Sequence, residues 1–142
     1  MRDINLPVRK SFFELLDDEL TINSSNVPVS DERANIGNES SLYVLLTSQN
    51  SIDTNEKCGF TRTAFITLDI VNKTESAVSK ATVDNVADQI LQKVFGDGLT
   101  PPNTWQFLNI KLDDDRYLNL QLEDTAHVIR RLLTFKLTVV QN

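Results

Sequence analysis

The sequence predicts an α+β domain: a mainly antiparallel sheet with two principal helices packed on one face, connected by long polar loops. Three observations carry that reading. Apolar residues recur at helical spacing in two stretches only, 7–20 and 77–95; several other stretches alternate with period two; and the alternating runs flank the second helix in groups and are not interleaved with helices. The 142 residues suit one domain, 1–142, with a helix over about 7–20, a loop over 21–41, and a sheet-and-helix core over 42–142.

In "LPVRKSFFELLDDEL" the residues Val8, Phe12, Leu15, Leu16 and Leu20 repeat at helical spacing, and Pro7 fits a first turn that needs no N–H from it. Asp17, Asp18 and Glu19 fall at the end where the helix dipole disfavours anions, so this helix calls for packing or a cationic neighbour. Residues 21–41 are rich in Asn and Ser and show no sustained period, although Val27 and Val29 permit a short extended piece around Pro28. A structureless connection of that length inside a compact domain is either a contact surface or a floppy insertion.

"LYVLLT", 42–47, reads as a strand covered on both faces, and 48–59 as a polar excursion. "FTRTAFITLDIVNK" alternates, with Phe60, Ala64, Ile66, Leu68 and Ile70 on one side and Thr61, Thr63, Thr67 and Asp69 on the other; Arg62 and Phe65 break the pattern. The two strands form an antiparallel hairpin with a long tip. Val83, Val86, Ala87, Ile90, Leu91 and Val94 make one helical stripe, which Thr74, Ser76 or Ser79 is placed to cap and "GDG" with Pro101 and Pro102 to end. Beyond it, "WQFLNIKL" and "RYLNLQL" are expected to form a second hairpin turning at Asp113, Asp114 and Asp115, with Leu108, Ile110 and Leu112 sharing one face. The final run from His127 places Ile129, Leu133, Phe135, Leu137 and Val139 on one face, against Arg130, Thr134, Lys136 and Thr138.

Composition excludes several functions. A net charge of −6 argues against general binding to phosphate backbones. No run approaches the 18 apolar residues of a membrane span, and the N-terminus lacks a signal-peptide core, which predicts a soluble cytosolic protein. One cysteine, Cys58, and one histidine, His127, leave no disulfide and no ordinary zinc set. His127 has no nucleophile beside it, the aspartate triplet lacks the spacing of a calcium loop, and "GDGL" lacks the parts of a phosphate loop. No enzyme and no cofactor is expected.

The candidate residues are therefore candidates for contact between subunits. Alternation puts Arg131 on the apolar side with Ile129 and Leu133, where it is either a snorkelling rim residue or the partner of a carboxylate on another subunit. Arg130, Arg62, Asp17 and Asp18 complete the set.

The order of these elements resembles the tail-terminator and tail-completion proteins of tailed bacteriophages. The resemblance runs from 7 to 140 and rests on Leu42 to Leu46, Thr63 to Val71, Val83 to Leu91, and Arg131, Leu133, Phe135 and Leu137 of the closing strand. The 21–41 loop and the expected hairpin at 105–122 depart from it. It implies a structural virion protein assembled in the host cytoplasm. Such a protein forms a hexameric or dodecameric ring at the tail or neck, contacts neighbouring tail or connector proteins, and lets DNA pass without specific binding. The competing expectation is a small monomeric module that binds a protein or ligand through loops 21–41 and 48–59.

Overall fold

The computed structural model describes residues 4–30, 42–53, 60–74, 80–102, 104–122 and 126–141. Helix α1, Asn5–Leu16, lies beside a two-stranded hairpin, β1 Thr21–Ile22 and β2 Ser25–Asn26. The main sheet holds β3 Val29–Ser30, β4 Leu42–Asp53, β5 Phe60–Thr74, β6 Trp105–Leu122 and β7 Ala126–Gln141, with α2, Ala81–Gln92, and a π-helical turn, Lys93–Asp97, between β5 and β6. Its strand order is β3-β4-β5-β7-β6, antiparallel throughout except for the short β3–β4 pair. The protein is thus α+β, as the sequence predicts.

Both helices pack on one face. Along and just beyond α1 the residues Ile4, Val8, Phe12, Leu16 and Leu20 follow one another at intervals of four and are all fully buried, in one core with Ala64, Ile66, Leu68 and Ile70 of β5 and Ile129, Leu133, Phe135, Leu137 and Val139 of β7. Helix α2 adds Val83, Val86, Ala87 and Ile90, with Leu91 partly buried, and the π turn adds Val94, together the stripe read from the sequence. The opposite face carries a smaller cluster of Tyr43, Leu45, Val71 and Val128. The same face also carries Thr67 and Thr134, hydrogen-bonded across the ladder at 3.0 Å.

Several boundaries move from their expected places. Helix α1 stops at Leu16, because Asp17 is extended and Asp18 adopts a left-handed φ of 60°. The acidic triplet therefore sits past the last turn, which removes most of the conflict with the dipole, and Glu19 finds the cationic neighbour Lys93 at 3.3 Å. The first part of the 21–41 loop is ordered. Gln89 of α2 brackets Thr21, accepting from its N–H at 3.0 Å and donating to its carbonyl at 2.8 Å, and β3 runs parallel to β4 at Val44 and Leu45. Strand β4 continues to Asp53 past a bulge between Leu46 and Gln49, which shortens the 48–59 excursion. Residues 31–41, 54–59 with Cys58, and the caps Ser76 and Ser79 lie outside the described residues, as do the side chains of Thr74 and His127. The cap position of α2 is taken by Lys80, with no side-chain hydrogen bond. At its other end the N–H of Gly98 closes the π turn on the carbonyl of Lys93 at 3.0 Å, at a φ of 82° that favours glycine.

The largest correction concerns 105–122, which is one strand of 18 residues and not a hairpin. It pairs with β7 from Trp105 opposite Gln141 to Leu122 opposite Ala126, and Asp114 and Asp115 stand in register with Thr134 and Leu133. Bulges between Leu108 and Lys111 and between Leu112 and Asp114 each insert one residue, the first through Asn109 at φ 54°. Each insertion flips the facing of the residues beyond it. Leu108 consequently faces away from the helices while Ile110 and Leu112 pack against the main core.

Candidate subunit interface

The sequence-predicted Arg131 does lie on the helix side of β7, and its carboxylates belong to its own chain. Strand β6 brings Asp115, which accepts from Nε at 2.9 Å and from Nη2 at 2.6 Å; helix α2 brings Asp84, which accepts from Nη1 at 2.9 Å. Tyr117, directly opposite Arg131 on the ladder, donates its hydroxyl to Asp84 at 2.5 Å. Its ring faces two cations, with Lys80 Nζ at 4.5 Å and the Arg131 guanidinium at 5.2 Å from the centroid. Two cations thus meet two carboxylates around one aromatic ring. The cluster ties the start of α2 to the two strands beneath it.

The two carboxylates act on the groups they accept from. The Asp115 carboxylate raises the already high pKa of Arg131, and the hydrogen bond to Asp84 holds the Tyr117 hydroxyl above its ordinary value of 10.0. Below about pH 10, that phenol is protonated whether the chain is folded or not, so its contribution to stability is complete there. The contribution is lost as pH rises through the higher folded value. Absorbance titration is expected to show a tyrosine ionising above the ordinary range, and Tyr117→Phe to remove that transition.

Arg130, on the other face, donates from Nε to the two oxygens of Asp69 at 3.2 and 3.1 Å and also pairs with it through Nη2. Asp69 is 1% exposed, between Leu45 and Leu132 on the flanking strands. Arg62 is half-buried toward the opposite end of β7, in register with Val139. Asp17 and Asp18 are exposed past α1, Asp18 accepting from Asn26 Nδ2 at 3.4 Å. The five residues do not converge on one spot. Among the described residues no group of histidine, cysteine and carboxylates is arranged to hold a metal ion, and no helix is long and apolar enough to cross a membrane.

What the arrangement leaves open is the rim of the sheet. Strand β6 pairs with β7 on one side only among the described residues, which leaves an edge 18 residues long. At the other end β3 covers only Val44 and Leu45, so most of β4 is also an edge among those residues. Bulges and the charges of Lys111, Asp113, Asp114 and Arg116 guard β6 against indiscriminate pairing. An edge so protected still offers backbone donors and acceptors to a partner of the right shape. In the helical layer, Phe95 on the π turn is 51% exposed and Leu6 on α1 is 69% exposed. Sequence reasoning missed Asp84, Asp115, Tyr117 and Phe95; only Phe95 left a local trace, as an apolar residue off the helical stripe just before Gly96.

The class these features define is a two-layer α+β fold: a five-stranded mixed sheet, backed on one face by two helices, whose two edges lie open among the described residues. A chain in the solved structure described as the virion of a native gene transfer agent particle has this fold, with a TM-score of 0.75 over 99% of each chain at 15% sequence identity. No protein-family model and no curated protein matches the sequence.

Proposed function

We propose that this is a non-enzymatic structural virion protein that joins copies of itself into a closed ring at the tail or neck of a phage-like particle, through which DNA passes. The observation that carries the proposal is the end-to-end likeness to a chain of a gene transfer agent virion, 99% of both chains, so that almost nothing of either fold is left over. The order of elements read from the sequence supports the same reading independently of the fold.

The physical chemistry is compatible with it. A ring of identical subunits uses a heterologous contact, one patch meeting a different patch on the next copy, and the two sheet edges lie on opposite sides of the subunit. Six copies at −6 each would also present DNA with a repelling subunit set, which favours passage over adhesion. Tail terminator is the finer assignment, with a neck ring as the alternative position.

Light scattering coupled to size separation, with negative-stain imaging, is expected to give particles of about six or twelve copies, formed alone or on purified tails or connectors. A chain that stays monomeric in isolation and binds neither tails nor connectors would overturn the proposal.

A further inference from the structure

Two of the exposed apolar side chains, Ile52 and Leu108, stand on the strands whose edges are open, and they share one rung of the sheet. Ile52 of β4 is opposite Thr63 of β5, Thr63 is opposite Thr138 of β7, and Thr138 is opposite Leu108 of β6. Thr63 and Thr138 each precede or follow a buried core residue, Ala64 and Leu137, so the whole rung faces away from the helices. Ile52 is 56% exposed at one end of it and Leu108 40% exposed at the other. Strand β3 leaves this end of β4 uncovered, because it pairs only with Val44 and Leu45, before the bulge that precedes Gln49. Within one subunit the two ends of the rung are three strand spacings apart, roughly 14 Å.

We infer that the outer edge of β4 at Gln49–Asp53 on one copy pairs antiparallel with the outer edge of β6 at Trp105–Leu112 on the next, bringing Ile52 beside Leu108. This deepens the ring reading and rests on it. Strand direction fixes the sense of the contact. The pairs β4–β5, β5–β7 and β7–β6 are each antiparallel, so β4 and β6 of one subunit run in opposite directions. A copy set alongside in the same orientation therefore continues the alternation without a break, and each contact leaves one open edge for the copy after it. The side chains identify the same occupant. With the rung carried across the boundary, Ile52 and Leu108 become direct cross-strand neighbours about 5 Å apart and cover each other from water. On the rung formed by Asn50, Phe65, Lys136 and Lys111, the exposed Lys111 comes to stand beside the neutral, exposed Asn50 of the next copy. Backbone hydrogen bonds along the added strand supply the affinity, and these alternate side chains the register. Pairing of β6 with β6 would instead use the same edge twice and stop at a two-fold pair.

The test compares variants in whichever state, free or tail-bound, the copies come together. Amide hydrogen exchange is expected to slow on assembly at Gln49–Asp53 and at Trp105–Leu112, the two edges that gain backbone partners. Ile52→Lys and Leu108→Glu are each expected to raise the concentration needed for assembly roughly tenfold while the circular dichroism spectrum of the subunit stays unchanged, and the double variant to recover most of the loss. In a Cys58→Ser background, Ile52→Cys with Leu108→Cys is expected to give a ladder of disulfide-linked oligomers that neither single change produces. A dimer from Leu108→Cys alone, with no ladder from the pair, would show β6 meeting β6 and overturn the contact. If the parent protein forms rings while exchange at both edges stays as fast as in the single subunit and the cysteine pair gives no ladder, this contact is overturned and the ring reading stands. If the parent never assembles, alone or on tails or connectors, the ring reading falls and this contact with it.

Discussion

Arg130→Ala is expected to destabilise the fold by about 3 kcal/mol, read as a lowered midpoint of urea unfolding. The cause is the carboxylate left behind. Asp69 is 1% exposed, lies between Leu68 and Ile70 along β5, and has Leu45 and Leu132 as ladder neighbours, so among the described residues no other cation replaces the guanidinium. Breaking a buried pair by removing one partner typically costs about 3–5 kcal/mol. The Arg130 side chain is 31% exposed, and screening at that end argues for the low side of the range. Arg130→Lys keeps the charge but not the planar fork that engages both oxygens, so a loss of about 1–2 kcal/mol is expected. Replacing both partners, Asp69→Leu with Arg130→Met, removes the stranded charge and should return most of the stability. A loss below about 1 kcal/mol in Arg130→Ala would mean that Asp69 finds solvent in the folded state.

How far the sequence reveals this fold depends on whether a feature is local. The helical stripe of α2 and the alternation of β5 and β7 are set by neighbours within a few residues, and their buried faces are those the periodicity selects. The side on which Arg131 lies comes from the same rule. Its partners do not, because Asp84 and Asp115 are brought to it by a helix and a strand remote in sequence. Reading the aspartate triplet as a turn hid one of them. Aspartate is a poor strand former in isolation, and here the cost is offset by Arg131 gripping Asp115 from the opposite strand and by the bulge that absorbs the extra residue. The bulge at Asn109 likewise cancels the simple inference that every second residue shares a face. Strand order is the least local property. Nothing in 126–141 itself says that the last strand runs up the interior of the sheet between β5 and β6, although its burial on both faces at Val128, Ile129, Leu132 and Leu133 is what that position demands.

Phe135→Ala is expected to cost about 3–5 kcal/mol, the usual range for emptying a buried phenylalanine site. Phe135 is fully buried and is the point where the layers meet: Phe12 of α1 lies 5.4 Å from its ring centroid at 44°, Phe95 of the π turn 6.0 Å away at 48°, and Ile66 and Leu112 flank it on the ladder. Both helical elements would lose the same support, so little can collapse to fill the space. At about 3 °C per kcal/mol for a chain of this size, the melting temperature should fall by roughly 10 °C or more. Phe135→Leu retains most of the volume and should cost only about 1–2 kcal/mol. A shift of a few degrees in Phe135→Ala would show that the helices are held on the sheet mainly by other contacts. Phe95→Ser, which removes a half-exposed ring from the same stack and leaves Phe135 in place, is expected to cost well under half as much.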